Sequence, residues 1–374
     1  MTIKVCFIIL GLHFSGAENV LVQYLKGNEK LEPYFVFVFS GKAKKQFAKE
    51  FGESKCFEMK MSYHKNELRF IPRLAQWRIA PKLKEILSSI EPDLIYTNNT
   101  LESMLCGNLV TKINIPAFAH IHDMKNAYGT FIKVIETNKA LKNYTRVFTV
   151  SEACKHSWNN ENMDVVYNGI PQYYYTIEKN NAKKDGFCIG YVGMISRRKG
   201  ADMLVKLVRE IKEVNWHIAY NLIQDGFEDQ IEYLKTQSNV MTSMNVLPEN
   251  MPSFFDGLDM LIIPSRQDPL PTVAIEAMAR HKLVVGFNVG GISELIGNNE
   301  LIVDGISEKV LKDKIYEIIS WSQEKRFLMQ ENLYIKAKEK FSQEKKRQII
   351  NQAIEAVVQN SVSEVSNTNQ GDRC

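Results

Sequence analysis

The chain has 374 residues, of which 45% are hydrophobic, so its length favours two domains with enough apolar side chains for buried cores. Its formal net charge of +4 fits an anionic ligand or membrane surface but is too small to indicate a nucleic-acid-binding protein. The six cysteines include no Cys-x-x-Cys pair, which argues against zinc and favours buried free thiols in a reducing compartment.

The N-terminal residues predict a buried strand from Val5 to Leu10, followed by a helix that begins at Ser15 or Gly16. A glycine-bearing loop between a strand and a helix suits a phosphate group, because backbone amides point out of the helix start. A plain strand-to-helix turn has the same appearance, so this pattern alone does not indicate a phosphate site.

No cleavage site follows the apolar N-terminal run, and no run of the sequence is long enough to span a bilayer, so we expect a cytoplasmic protein.

Residues 69–84, which begin with Arg69 and end with Lys84, alternate basic side chains with aromatic and aliphatic ones. Such a mixture can lie on an anionic membrane surface. An amphipathic core helix with a solvated basic face explains the pattern equally well.

Another strand is predicted for residues 116–121, and His122 and Asp123 follow it directly. A side chain just past a strand end points into the crevice of an open α/β sheet, although a histidine at a strand end is usually unremarkable. Strand residues then lead to Asn168, Gly169 and Ile170, and the polar residues 171–185 are predicted to form a linker.

The second half of the chain begins with a predicted strand at residues 187–193, and an amphipathic helix starts after Gly200. Arg197, Arg198 and Lys199 lie in the loop between them. Cations that gather at a strand end favour an anion site over a solvated basic turn.

Residues 260–263 and 283–287 predict two further strands, which enclose a helix from Thr272 to Arg280. The amino end of this helix can hold an anion. Asp268 lies in the loop before the helix, and Glu276 lies more than one turn inside it. The two carboxylates therefore suit the binding of hydroxyl groups, although a capping residue and a surface residue are the plainer interpretation.

The combined pattern resembles the donor-site signature of retaining glycosyltransferases of family 4, which have the GT-B fold. That signature is an acid, seven residues, Glu, Ala-Met-Ala, a strand and Gly-Gly-x-x-Glu. Here it reads Asp268, Glu276, Ala277-Met278-Ala279 and Gly290-Gly291-Ile292-Ser293-Glu294.

The chain departs from the family at several positions. The first acid is usually Glu, and Pro271 stands where Gly is usual, so one expected amide is missing. Met194 occupies the place of an expected Arg, which Arg197 or Arg198 could supply. The loop at Gly16 is similar to the family's Gly-Gly-x-Glu loop, with Ser in place of the first Gly.

The resemblance implies an α/β protein of the GT-B fold, with two doubly wound Rossmann-like domains facing an interdomain cleft. Residues 1–172 would form the N-terminal acceptor-binding domain and residues 173–340 the C-terminal nucleotide-sugar-binding domain. Residues 341–360 would form a final helix that returns to the N-terminal domain, and residues 361–374 a disordered tail.

The resemblance also implies roles for individual residues. The catalytic residues would be His122 beside the transferred sugar, Asp268 on the sugar hydroxyls and Lys199 on the diphosphate. The donor-binding residues would be Gly16, Arg197, Arg198, Lys199, Leu270, Thr272, Val273 and Glu276, the last on the ribose hydroxyls. No Asp-x-Asp occurs in the chain, so the resemblance implies no metal and no other cofactor.

The expected reaction moves a sugar from a nucleoside diphosphate sugar, with UDP favoured over GDP, to a glycan acceptor with retention at the anomeric carbon. A lipid-linked acceptor in bacterial capsule or cell-surface polysaccharide synthesis is the expected class. A non-catalytic nucleotide-sugar-binding or scaffold protein and a GT-B nucleotide-sugar epimerase remain the alternatives.

Overall fold

The computed structural model describes residues 2–12, 14–59, 72–128, 134–176 and 186–371. The chain divides into two compact units. Unit 1 comprises Met1–Gly169 and Gln343–Cys374, and unit 2 comprises Ile170–Ser342.

The described part of unit 1 contains a seven-stranded parallel sheet in the order β3-β2-β1-β4-β5-β6-β7. The strands are β1 Ile3–Ile9, β2 Leu31–Phe37, β3 Cys56–Glu58, β4 Leu94–Thr97, β5 Ala117–Ile121, β6 Arg146–Thr149 and β7 Asp164–Val165. The helices between them are α1 Gly16–Leu25, α2 Lys42–Phe51, α3 Pro72–Ile90, α4 Thr100–Val110, α5 Val134–Leu141 and α6 Glu152–Trp158. Helices cover a parallel sheet on both faces, which is why its central strands are continuous apolar runs.

The described part of unit 2 contains a six-stranded parallel sheet in the order β10-β9-β8-β11-β12-β13. The strands are β8 Cys188–Val192, β9 Asn215–Tyr220, β10 Val240–Met244, β11 Met260–Ile263, β12 Leu283–Phe287 and β13 Ile302–Val303. The helices are α7 Ala201–Glu210, α8 Glu228–Thr236, α9 Met251–Asp256, α10 Thr272–Ala279, α11 Ile292–Ile296, α12 Glu308–Ile319 and α13 Gln323–Lys340. Each half therefore has the doubly wound α/β architecture that was predicted.

The last helix, α14 Gln343–Gly371, belongs to unit 1. Its buried Ile350 and Ile354 join the core of that unit, and Asn351 accepts a 2.7 Å hydrogen bond from the hydroxyl of Tyr24. The helix continues to Gly371, so residues 361–371, for which a disordered tail was predicted, are helical in the structure. Extending an existing helix costs far less than starting one, and the polar composition did not stop it.

The basic stretch at residues 69–84 lies partly outside the described residues, which omit residues 69–71 and the side chains of residues 72–78. In the described remainder, Ile79 and Leu83 of α3 are buried. None of the described helices combines the length and the apolar character that crossing a bilayer requires.

Candidate functional site

Two loops of unit 2 meet at the carboxyl edge of its sheet. Residues 193–200 follow β8 and residues 264–271 follow β11, and these strands are hydrogen-bonded neighbours. Lys199 Nζ lies 2.5 Å from Asp268 Oδ2, and the Asp268 side chain is only 5% exposed. The cation and the acid predicted from separate motifs therefore form one ion pair, in which the acid is buried and the lysine is 21% exposed.

Gly200 permits this close approach of the two loops. Its φ is +77°, and an added Cβ would lie 2.0 Å from the carbonyl oxygen of Pro264. Any other residue would both strain the backbone and push the loops apart. The glycine after Lys199 is thus required by local packing.

Arg197 and Arg198 are both exposed, and both lie in the loop that carries Met194, where the resemblance implies an Arg. The Arg198 guanidinium donates a 3.2 Å hydrogen bond to the carbonyl oxygen of Gln267, next to Asp268. This contact directs the side chain of Arg198 towards the acid's loop.

Asp268 also connects the loop after β11 to the Gly-Gly segment. Its carbonyl oxygen accepts a 2.9 Å hydrogen bond from the Gly291 amide, and its carboxylate lies 3.5 Å from the hydroxyl of Ser265. The structure thereby brings two parts of the predicted signature, Asp268 and the Gly-Gly segment, to the same place.

Helix α10 begins directly after Pro271. Thr272 and Val273 are partly buried, and the first amides of a helix have no partner within it, so they are available to an anion. Leu270 is 4% exposed, so its side chain belongs to the core and any contribution to a ligand would come from its backbone.

Glu276 lies on α10 and interacts with Tyr174, which lies in a short 3-10 turn at Gln172–Tyr175. Burial raises the pKa of Glu276 to about 7, and a hydrogen bond from Tyr174 partly opposes the rise. Removing a carboxylate from water favours its neutral form, so this acid is half-protonated near neutral pH. Glu276 is therefore not the solvated surface residue of the plainer interpretation.

Arg280 fixes the Tyr174 turn against the end of α10. Its guanidinium pairs with Asp256, with Nε 2.8 Å from Oδ1, and also binds the carbonyl oxygens of Tyr174 and Thr176. The sequence analysis gave neither Tyr174 nor Arg280 a role in the site. Residue 174 lies in the predicted linker, and Arg280 was predicted only as the last residue of the helix. The remaining linker residues 177–185 lie outside the described residues.

In unit 1, Gly16 begins α1 at the carboxyl end of β1. Glu18 accepts hydrogen bonds from the backbone amide of Ser15 at 2.8 Å and from its hydroxyl. Gly16 is exposed, and an added Cβ would meet no atom of the described residues within 4 Å. The amide of this residue thus lies at an open helix start.

This loop contacts an acidic residue for which the sequence predicted no role. Glu102 of α4 is buried and accepts a 2.8 Å hydrogen bond from the amide of Leu10. Burial, reinforced by the charge of Glu18, raises the pKa of Glu102 to about 8. Its contact with Leu10 makes it a support for the loop rather than a surface acid.

His122 follows β5, two strands from β1 in the sheet, and is buried. Its ring centroid lies 4.3 Å from that of His120, and its Nε2 has no hydrogen-bond partner among the described residues. Burial, and then the charge of Lys346, lower the pKa of His122 well below the usual value. The imidazole is therefore neutral near pH 7.

Lys346 comes from α14 and is also buried, with its Nζ 3.5 Å from Asn168 Oδ1. Burial lowers its pKa to about 7. A lysine in this position could not be found from sequence, because the long helix that carries it is distant along the chain from His122.

Comparison with known proteins finds similarity to glycosyltransferases. Residues 175–339 match the family described as Glycosyl transferases group 1. The chain is 28% identical over 303 residues to an uncharacterized glycosyltransferase, MJ1178 of Methanocaldococcus jannaschii, covering 72% of this chain and 81% of that protein. It is also 25% identical over 199 residues to the capsular polysaccharide biosynthesis glycosyltransferase CapM of Staphylococcus aureus, covering 47% and 52% of the two chains.

Solved structures with the same fold include two that cover nearly the whole chain. Anabaena Alr3699/HepE in complex with UDP superimposes with a TM-score of 0.76 at 18% identity, covering 94% of this chain and all (100%) of that one. Sucrose-phosphate synthase of Thermosynechococcus elongatus gives a TM-score of 0.75 at 17% identity, covering 95% and 98%. The protein has the GT-B fold, as predicted.

Proposed function

We propose that the protein is a retaining glycosyltransferase that moves a sugar from a nucleoside diphosphate sugar to a glycan acceptor. The observation that carries the proposal is the ion pair of Lys199 with Asp268, which lies at the carboxyl edge of the unit 2 sheet. The match of residues 175–339 to the glycosyl transferases group 1 family supports it.

The leaving diphosphate gains negative charge as the glycosidic bond breaks, and fixed positive groups stabilise that charge. Lys199 and either Arg197 or Arg198 would bind the diphosphate, aided by the amides at Thr272 and Val273. This arrangement is proposed to work without a divalent ion.

Glu276 would accept hydrogen bonds from the ribose hydroxyls, with Leu270 beside the nucleotide, and Asp268 would bind hydroxyls of the sugar. In unit 1, the amide of Gly16 would contact the diphosphate and neutral His122 would contact the sugar near the reacting carbon. Retention would follow from attack on the face from which the phosphate departs, with that phosphate taking the acceptor's proton.

UDP is the proposed nucleotide, since UDP and UDP-glucose are the ligands named for HepE. The proposed acceptor is a lipid-linked glycan of capsule or surface-polysaccharide synthesis, because CapM acts in capsular biosynthesis. Such an acceptor would place the protein at the inner face of a membrane.

A thermal-shift screen over nucleotides and nucleotide sugars tests the donor class. We expect UDP and UDP-sugars to raise the melting temperature, because a ligand that binds only the folded state stabilises it. Slow release of UDP from a stabilising UDP-sugar, unaffected by EDTA, would support a metal-independent transferase. Stabilisation without any turnover, with glycan acceptors supplied, would instead favour a non-catalytic binding protein, and conversion of the sugar without an acceptor would favour an epimerase.

A further inference from the structure

Arg266 lies in the loop after β11, two residues before Asp268, and neither the motifs nor the proposed function give it a role. Its guanidinium forms a two-pronged pair with Asp202, with both N–O distances 2.7 Å. Asp202 is in the first turn of α7, the helix that starts immediately after the Lys199 loop. Partial burial opposes ionisation of Asp202, but the Arg266 guanidinium outweighs it and lowers the pKa of this acid.

Arg266 also binds the Lys199 loop itself. Its Nη1 donates a 2.6 Å hydrogen bond to the carbonyl oxygen of Arg197, and its backbone amide donates a 2.8 Å hydrogen bond to the carbonyl oxygen of Arg198. One residue therefore holds the loop at two consecutive carbonyl groups and at the helix that follows.

These contacts fix the backbone of Lys199 on both sides. The residue before it is bound by the amide of Arg266, and the residue after it, Gly200, packs against Pro264. Both contacts come from the same loop that carries Asp268. The distance between the Lys199 ammonium and the Asp268 carboxylate is thus set by the way the two loops are joined.

We propose that Arg266 is a positioning residue, which holds Lys199 where it can bind the diphosphate; this inference rests on the proposed function. The role needs the planar guanidinium, because a fork can bind the two oxygens of Asp202 and a carbonyl oxygen at once. A lysine at this position would keep the charge and lose that geometry. Displacing a charged group by about 1 Å can reduce catalysis roughly a hundredfold.

The test compares the binding of UDP with that of uridine, which has no phosphate groups. Isothermal titration calorimetry measures UDP, and ligand-observed NMR measures uridine where its affinity is too low for calorimetry. The variants are Arg266→Ala, Arg266→Lys and Asp202→Asn. We expect Arg266→Ala to weaken UDP binding roughly tenfold while uridine binding stays within about twofold, because the loop would contact only the diphosphate.

Arg266→Lys and Asp202→Asn should produce part of the same selective loss. Glu210→Gln is the matched control, since it removes an ion pair with Lys312 at the other end of the same helix. It should leave both affinities unchanged. The calorimetric stoichiometry gives the active fraction, and kcat corrected for it should fall by more than KM rises in Arg266→Ala.

Two results would overturn the inference. In one, wild-type protein binds UDP and folded Arg266→Ala binds it equally well. In the other, Arg266→Ala loses UDP and uridine affinity to the same extent, which is the result of a general structural defect. If wild-type protein binds neither ligand, the proposed UDP specificity fails instead, and the same comparison with GDP and guanosine tests Arg266.

Discussion

Binding of UDP is expected to release protons from Glu276. The pKa of this carboxyl is about 7 in the free protein because burial disfavours its charged form. Ribose hydroxyl groups would donate hydrogen bonds to the carboxylate and so stabilise the charged form. Binding should therefore lower the pKa of Glu276 towards its ordinary value.

The size of the effect follows from proton linkage. With a pKa of about 7, roughly three quarters of Glu276 is protonated at pH 6.5, so UDP should displace about 0.7 proton from it. The sign is fixed because the ligand prefers the deprotonated form: affinity rises with pH below about 7 and levels off above it. Between pH 5.5 and pH 8 this acid alone should strengthen binding roughly twentyfold to thirtyfold.

Calorimetry in buffers of different ionisation enthalpy measures the proton count. UDP itself ionises in this range, so the diagnostic quantity is the difference between wild type and Glu276→Gln. Glu232→Gln serves as a control, because Glu232 is an exposed acid of the same unit, paired with Lys235. Proton release that is equal in wild type and Glu276→Gln would refute the ribose role of Glu276.

Tyr174→Phe tests the same site by removing the hydroxyl that donates a hydrogen bond to Glu276. The hydroxyl of Tyr174 stabilises the charged form of Glu276, so its removal should raise the pKa of Glu276 above about 7. A hydrogen bond to a charged group contributes about 1.5–3 kcal/mol, which corresponds to a shift of roughly one to two pKa units. The midpoint of the pH dependence of UDP affinity should move up accordingly, and an unmoved midpoint would contradict the contact.

Three further predictions concern stability and charge. Lys199→Met should lower the free energy of unfolding in urea by about 3–5 kcal/mol, because it leaves Asp268 buried without its cation. Adding Asp268→Asn should restore most of this stability but not turnover. Equal stabilities of the single and double variants would contradict the prediction. Gly200→Ala should lower the free energy of unfolding more than Gly226→Ala. Both glycines have positive φ, but of the two only Gly200 lies close to a facing carbonyl group, that of Pro264. Similar losses would show that the loops are not tightly joined. The imidazole of His122 should remain neutral from pH 6 to pH 8 when its NMR signals are followed, because burial lowers its pKa well below the usual value. A change of protonation in that range would contradict the burial of His122.

The sheet strands were predictable wherever burial on both faces made them continuous apolar runs. Residues 260–263 and 283–287 were predicted with the bounds that β11 and β12 have. Strands β3, β10 and β13 were missed, because two of them have three residues or fewer and β10 is an edge strand with exposed side chains. Such strands form because a neighbour offers hydrogen bonds, which no local pattern reveals.

The sequence by itself determined the residue types of the site: a lysine before a glycine, an acid before a helix and a glutamate within it. Spacing and residue type are local properties, so the motifs could be read along the chain. Tertiary structure alone decided that Lys199 pairs with Asp268, that Tyr174 and burial tune Glu276, and that Arg266 joins the two loops. These relations depend on which strand ends lie side by side and on how much water is excluded, and parallel strands joined through helices bring together residues that are far apart in sequence.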